Sequence, residues 1–245
     1  MPRLRRLAAR TGVPLLLLAA ALALPGAARA ARPMVTDDAR IVDAKACQVE
    51  TWLRRLDAGG TEYWALPGCN PFGPFELTLG GATLPAFADG PRDRAFQGQV
   101  KTLFRALEPD SWGIGLAVGT LNLFPGDRGR STRDPYVYVP VSIATLGERV
   151  VWHLNAGATH GSGEARRLRG TWGVGVEGAV VPRLLLVGET YGVHDERPLW
   201  QFGVRVWLVP GRVQVDATVG DQTGSAGIGR WATLGLRLLS PPFLP

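Results

Sequence analysis

The feature of this sequence that most constrains its fold is a strict alternation of large apolar residues with small or polar ones. In residues 112–119, Trp112, Ile114, Leu116 and Val118 alternate with three glycines and an alanine. Similar alternation recurs at residues 172–177, 200–208, 213–219 and 233–238. Successive side chains of a β-strand point to opposite faces, so the pattern predicts strands with one apolar face and one small or polar face. Almost no segment after residue 45 has helical periodicity, and the sequence therefore predicts an all-β protein.

Extending the alternation along the chain predicts about twelve strands, at residues 46–57, 60–66, 74–80, 95–107, 111–121, 135–145, 149–158, 169–180, 183–193, 198–209, 212–220 and 228–239. The turns after the fourth, sixth, eighth and tenth strands are tight, whereas most connections after odd-numbered strands are longer, polar and glycine-rich. The first connection is a short exception and the second a moderate one. Outer-membrane barrels have short periplasmic turns and longer outer loops, while a soluble β-sandwich has no reason to sort its loops. The prediction is an antiparallel transmembrane β-barrel with both termini in the periplasm.

The start of the chain has the composition of a secretory signal peptide. An arginine-rich start is followed by an apolar run at residues 15–24 and a small-x-small cleavage site at residues 28–30. The apolar run is well short of the roughly 20 residues that a helix needs to cross a bilayer. We therefore predict a signal peptide at 1–30, a periplasmic N-terminal segment at 31–45, and a barrel at 46–245 in the outer membrane of a Gram-negative bacterium.

Removal of the signal peptide also removes most of the apparent basicity. The first thirty residues hold five of the 27 basic residues and none of the 21 acidic ones, which leaves 22 basic against 21 acidic residues. A nucleic-acid-binding domain would show a basic patch with aromatic residues, or a known module, and the sequence has neither. We predict no nucleic-acid partner and no cofactor.

Two cysteines, Cys47 and Cys69, remain in the exported part of the chain. An even pair in an oxidising compartment suggests one disulfide, and two free buried thiols are the alternative. Pairing the first two strands about a turn at residues 58–59 sets Cys47 opposite a position within one or two residues of Cys69. Both cysteines then lie at the periplasmic end of one hairpin, within bridging distance.

The polar face of the predicted strands should line the lumen of the barrel. Charges of both signs in a narrow lumen should pair across strands, because unpaired buried charge is costly. Such residues form either a structural network that plugs the interior or a polar constriction that orients a permeant molecule. Twelve strands lie between the filled eight-stranded barrels and the sixteen-stranded aqueous channels, so both readings stay open. The predicted lumen-facing polar residues are Glu50, Arg54, Lys101, Arg105, His153, Asn155, Glu177, Glu189, Arg205, Asp216 and Arg237.

Several short segments resemble the MetA-pathway of phenol degradation family of outer-membrane proteins. These are residues 32–39 (RPMVTDDA), 47–50 (CQVE), 202–210 (FGVRVWLVP), 212–216 (RVQVD) and 234–239 (LGLRLL). The resemblance implies a barrel with a role in the passage of small apolar or aromatic compounds, and it brings no catalytic residues. The chain departs from the pattern by ending in SPPFLP and not in a terminal aromatic strand residue.

Neither catalysis nor metal binding is predicted from the polar residues. A hydrolase would need a serine, a histidine and an acid or amide at one site, and the segment around His160 lacks the residues of a nucleophile elbow. The run His194-Asp195-Glu196 is expected to be a solvated loop. A basic cluster, Arg166, Arg167 and Arg169, would lie beside lipopolysaccharide phosphates, to which arginine is suited.

These observations together predict an outer-membrane barrel that acts as a passive channel for small hydrophobic or aromatic compounds and that contacts outer-membrane lipid and lipopolysaccharide. The transport part of this hypothesis comes from the family resemblance. One alternative is a non-transporting structural barrel with a plugged lumen. Another is a soluble periplasmic β-sandwich that binds a ligand.

Overall fold

The computed structural model describes residues 34–85, 91–126, 129–162, 168–224 and 229–245. They form a closed barrel of twelve antiparallel strands in which each strand pairs with its neighbours in sequence and β12 closes on β1. The strands are β1 (Cys47–Leu56), β2 (Thr61–Cys69), β3 (Phe75–Thr83), β4 (Arg94–Arg105), β5 (Trp112–Phe124), β6 (Asp134–Thr145), β7 (Val150–His160), β8 (Leu168–Val181), β9 (Leu184–Val193), β10 (Leu199–Val209), β11 (Val213–Gln222) and β12 (Trp231–Leu239).

The prediction of a twelve-stranded antiparallel barrel is confirmed, and the bounds of the strands differ from the predicted ones by at most three residues. The closed sheet excludes the β-sandwich alternative, which needs two separate sheets. In the part of the chain that the structure describes, no helix is long and apolar enough to cross a membrane. The predicted signal peptide, residues 1–30, lies outside the described residues.

Tight turns close one end of the barrel, which we call the periplasmic end, and most of the longer connections lie at the other, which we call the outer end. The first strand begins and the last strand ends at the periplasmic end, where Cys47 and Leu239 lie close together. Gly147 and Gly211 have φ of 65° and 68° in two of the tight turns. Only glycine adopts this conformation without a steric cost from Cβ, which explains its position there.

The outer face of the barrel carries the large apolar residues of the alternation. Aromatic side chains of this face gather in two bands, as expected of a protein whose apolar face meets lipid between two interfaces. Near the outer end they are Tyr63, Phe96, Phe124, Trp172, Trp200 and Phe202, and near the periplasmic end Phe72, Phe104, Trp112 and Trp152. The apolar face therefore points outward, and the interior of the barrel is left to the small and polar face.

The two cysteines are joined in a disulfide, as predicted. Cys47 and Cys69 are direct partners in the register of β1 and β2, with their Cα atoms 4.0 Å apart. The bridge therefore fixes the point at which the chain enters the barrel at its periplasmic end.

The segment before β1 is placed differently from the prediction. Residues 31–45 were expected to be periplasmic, but the described part of this segment lies inside the barrel. Met34, Asp38, Ala39 and Val42 are all buried there. We call residues 34–46 the plug segment, because they run through the lumen before the chain enters β1. The physical reason is the set of contacts described below, which come from strands that lie far apart in the sequence.

Candidate functional site in the barrel lumen

The lumen is lined by polar side chains from nearly every strand. The structure places ten of the eleven predicted residues on the inner face of the barrel: Glu50, Arg54, Lys101, His153, Asn155, Glu177, Glu189, Arg205, Asp216 and Arg237. Opposite charges pair between strands, as the cost of burying an isolated charge requires. Examples are Arg54 with Glu62 at 2.6 Å and Arg237 with Glu50 at 3.4 Å.

Arg105, the eleventh predicted residue, does not face the lumen. The register of β4 and β5 shifts between Leu103 and Arg105, and Arg105 pairs with Ile114. The extra residue of such a bulge reverses the side-chain alternation beyond it. The Arg105 guanidinium is exposed and lies 4.2 Å from the ring centroid of Trp112 at the periplasmic rim. The prediction for this residue is therefore wrong.

The plug segment is held mainly through its backbone amides. The N–H groups of Val35 and Thr36 donate to the two carboxylate oxygens of Glu189, each at 2.7 Å. Three further N–H groups donate to the wall, at 2.7 to 2.8 Å: Asp37 to Asn155 Oδ1, Ala39 to Ser142 Oγ, and Val42 to Glu76 Oε2. Two side-chain amides of the wall donate to backbone carbonyls of the plug segment. Asn155 Nδ2 donates to the Asp37 carbonyl and Asn70 Nδ2 to the Val42 carbonyl, both at 2.8 Å. Four strands and one turn therefore bind this one peptide segment.

An ion-pair cluster joins the side chains of the plug segment to β4 and β6. Lys101 Nζ lies 2.8 Å from Asp37 Oδ2 and 3.2 Å from Asp38 Oδ1. The Tyr138 hydroxyl donates to Asp37 Oδ2 at 2.7 Å. Burial would raise the pKa of Asp37, but the Lys101 ammonium outweighs burial and holds that pKa below its ordinary value. Asp37 therefore stays ionised throughout the physiological pH range.

Ser142, His153 and Glu177 form a hydrogen-bonded chain across β6, β7 and β8. Ser142 Oγ lies 2.8 Å from His153 Nδ1, and His153 Nε2 lies 3.0 Å from Glu177 Oε1. These are the residue types of a hydrolase triad, and sequence reasoning did not bring them together. However, Ser142 is fully buried and accepts the N–H of Ala39, so a substrate carbon has no space beside its hydroxyl in this structure. The second oxygen of Glu177 binds the buried Arg205 guanidinium, which makes the chain part of an ion-pair network.

A cavity of about 250 Å³ lies between the plug segment and the wall formed by β1 to β4, β6 and β12. Gln97, Gln99 and the stacked rings of Tyr136 and Tyr138 form one side of it. On the side of the plug segment, Asp38 Oδ2 and Arg40 Nη1 are buried without a hydrogen-bond partner among the described residues. The cavity therefore offers both a hydrogen-bond acceptor and a donor to a small polar molecule.

The lumen on the side of β9 to β12 is filled near the periplasmic end. Leu185, Trp207 and Leu239 form a small buried apolar cluster there, below the Arg205 and Glu177 pair. An open path through the periplasmic end therefore has to avoid this cluster and run beside the plug segment and the cavity.

Some wall residues that contact the plug segment were missed by sequence reasoning, although the sequence carried part of the signal. Glu76 follows the alternation of β3, in which Phe75, Leu77 and Leu79 face outward. Ser142 and Tyr138 were harder to find, because β6 carries large side chains on both faces.

The basic cluster predicted to bind lipopolysaccharide is only partly described. Arg166 and Arg167 lie outside the described residues. Arg169 forms an ion pair with Glu196 and belongs to the inner face of β8, on the same side as Gly173 and Glu177. Arg169 therefore does not point from the strand toward lipid, and the lipopolysaccharide contact stays a prediction for the other two arginines.

A closed twelve-stranded barrel with an apolar outer face, two aromatic bands and a polar lumen has the architecture of an outer-membrane β-barrel, located in the outer membrane of a Gram-negative bacterium. The chain is similar to the KdgM porin in complex with disordered oligogalacturonate, with a TM-score of 0.60 and 8% identity over 78% of this chain and 98% of that one. It is also similar to the NanC porin, with a TM-score of 0.53 and 11% identity over 79% and 98% of the two chains. These identities are low, and the similarity shows the fold alone.

Within this class, the chain belongs to the family described as "Uncharacterised conserved protein UCP029691", whose model matches residues 18–239. The match covers most of the barrel and the plug segment. It does not confirm the resemblance to the phenol-degradation family. No curated protein matches the sequence.

Proposed function

We propose that this protein is a passive channel for small polar solutes whose lumen is closed by its own plug segment. The observation that carries the proposal is that a porin-type lumen is occupied by a peptide held through hydrogen bonds and ion pairs. Polar contacts of this kind can be exchanged for contacts with water, whereas a lumen filled by packed apolar side chains would have no comparable way to open.

The chemistry of the lumen wall favours polar over apolar permeants. The resemblance noted in the sequence implied apolar or aromatic compounds, and such molecules would have to pass buried ions without compensating their charges. The wall of the cavity, with Gln97, Gln99 and Lys101, instead offers hydrogen bonds to a polar solute. The KdgM porin, which shares the fold, is described with an oligogalacturonate, and this supports a polar cargo. Catalysis is not part of the proposal, because the Ser142 hydroxyl is enclosed.

A reversible cross-link between the plug segment and the wall tests the proposal. A Cβ on Gly173 would lie 3.3 Å from the Thr36 Cβ, close to the separation of about 3.5–4.5 Å found in disulfides. We expect the oxidised Thr36→Cys/Gly173→Cys double variant to lose the ion conductance of the native chain in planar bilayers. A reductant should restore it. The native chain with reductant and the single Thr36→Cys variant serve as controls, since the native disulfide is reduced as well.

A second full-length variant should open the lumen more often than the native chain does. In the Thr36→Pro/Ala39→Pro variant the plug segment loses two donors, because proline has no N–H. We expect a higher open probability than in the native chain and uptake of small sugars and amino acids into liposomes. Equal conductance of the oxidised double-cysteine variant and the native chain would contradict a path along the plug segment.

The second candidate function is a closed structural barrel. The buried network of Ser142, His153, Glu177 and Arg205 favours it, because such a network stiffens the wall without needing a permeant. This candidate predicts no permeation by the native chain or by either variant.

A further inference from the structure

A large part of the binding of the plug segment comes from its backbone. Five of its backbone N–H groups, from residues 35, 36, 37, 39 and 42, donate to side chains of the wall. The acceptors Glu189, Asn155, Ser142 and Glu76 belong to four different strands. Backbone amides are common to all peptides except at proline, so these acceptors recognise a peptide backbone and not a particular set of side chains.

The wall also provides space for side chains along the same line. Gly173 and Gly175 lie under Thr36 and Met34, where a Cβ on either glycine would come within 2.6 Å of Thr36 Oγ1 or 3.0 Å of Met34 Cε. The absence of side chains at these two positions of β8 allows the peptide to lie close to the strand. Two ion pairs add side-chain preferences: Lys101 favours an acidic residue in the position of Asp37 or Asp38, and Glu148, 3.2 Å from Arg40 Nη2, favours a basic residue in the position of Arg40.

We infer that the inner wall of this barrel is a binding site for oligopeptides, and that the plug segment is its resident occupant. A peptide supplied in trans binds to the same acceptors when the plug segment has left them, with a preference for an acidic residue beside Lys101. The inference rests on the displacement of the plug segment that the proposed function requires. It does not require that the peptide pass through the membrane.

The test uses the full chain in detergent and a labelled peptide with the sequence of residues 34–42 and blocked ends. The Thr36→Pro/Ala39→Pro variant should release its own segment, and trypsin should then cut after Arg40, which the native chain protects. We expect the peptide to bind this variant at least about tenfold more tightly than it binds the native chain, as measured by fluorescence anisotropy. The Ala44→Pro variant is the matched control: its substitution lies in the turn that Ala46 N–H closes on the Asp43 carbonyl, and it keeps all five donors and the Arg40–Ile41 bond that trypsin cuts. It should resist both trypsin and the peptide.

Chemical changes in the peptide identify what is recognised. N-methylation at the positions of Val35 and Thr36 removes both donors to Glu189 but keeps every side chain, and should weaken binding by about tenfold or more. Replacing Val35 and Ile41, whose side chains are not buried, by alanine should change the affinity by less than about threefold.

Three results would overturn the inference. One is equal binding of the N-methylated and unmodified peptides. Another is trypsin resistance at Arg40 in the double-proline variant, because the backbone donors would then not be what holds the segment. The third is a segment that is cut at Arg40 while no peptide binds; this result leaves the proposed channel intact, since the segment is still displaced.

Discussion

At the scale of single residues, Lys101 stabilises the plug segment through charge. Its ammonium is buried and lies within 3.2 Å of carboxylate oxygens of both Asp37 and Asp38. A buried ion pair adds little compared with an apolar pair, but the removal of one partner leaves a buried charge without compensation. The three charges therefore have to be changed together if the lumen is to keep its packing.

The Lys101→Met variant should destabilise the plug segment in its position inside the lumen by about 3–5 kcal/mol, because the carboxylates of Asp37 and Asp38 would lose the charge of Lys101. The segment can avoid this cost by leaving the lumen, so we expect faster cleavage after Arg40 by trypsin. Adding Asp37→Asn and Asp38→Asn to the same chain should restore the protection. Unchanged cleavage in the single variant would show that the cluster does not hold the segment.

At the scale of elements, the β1–β2 hairpin fixes the C-terminal end of the plug segment, where it joins β1. The disulfide lies where the segment meets β1, and the backbones of Lys45, Ala46 and Asn70 are joined by hydrogen bonds beside it. The end of the chain adds to this anchor, because the N–H groups of Phe243 and Leu244 donate to the Lys45 carbonyl. The C-terminal end of the plug segment is therefore held independently of the ion-pair cluster around Lys101 deeper in the lumen.

The Cys47→Ser/Cys69→Ser variant should unfold more readily from lipid vesicles in urea, with a loss of about 3 kcal/mol for a bridge that closes a loop of this length. The sequence separation of the two cysteines is 22. Trypsin cleavage after Arg40 should change little, since the amide and charge contacts are kept. A large increase in that cleavage would instead mean that the disulfide itself holds the plug segment inside the lumen.

At the scale of the whole molecule, closure of the barrel depends on the pairing of β1 with β12. Nine residue pairs, from Gln48 with Leu239 to Leu56 with Trp231, join the two ends of the sheet. A closed sheet leaves no edge strand to be satisfied in lipid, and this makes the folded barrel resistant to detergent.

Unboiled protein should therefore migrate faster than boiled protein on a detergent gel. The shift should persist in the presence of a reductant, because closure comes from strand pairing and not from the disulfide. The Leu236→Pro variant should lose it, since proline cannot donate within the β11–β12–β1 ladder. A native chain without any shift on boiling would argue against the closed barrel.

The strands and the inner face were predictable because they depend on a local rule. Alternation along each strand decides which side chains face lipid, and ten of the eleven candidate residues follow it. Arg105 does not, because a single bulged residue reverses the alternation, and nothing in the local sequence marks that bulge. The Ser142–His153–Glu177 chain depends on the register between three strands, which alternation does not specify.

The sequence by itself determined the twelve strands, the direction of their apolar faces and the pairing of the cysteines, because each of these follows from local periodicity and turn length. Only the tertiary structure decided that residues 34–46 lie inside the lumen. That segment has no periodicity of its own, and its contacts come from strands 34 to 154 residues away, from the bond of Val42 to Glu76 to that of Val35 to Glu189. The state of the lumen follows from contacts that exist only once the barrel has closed around the peptide.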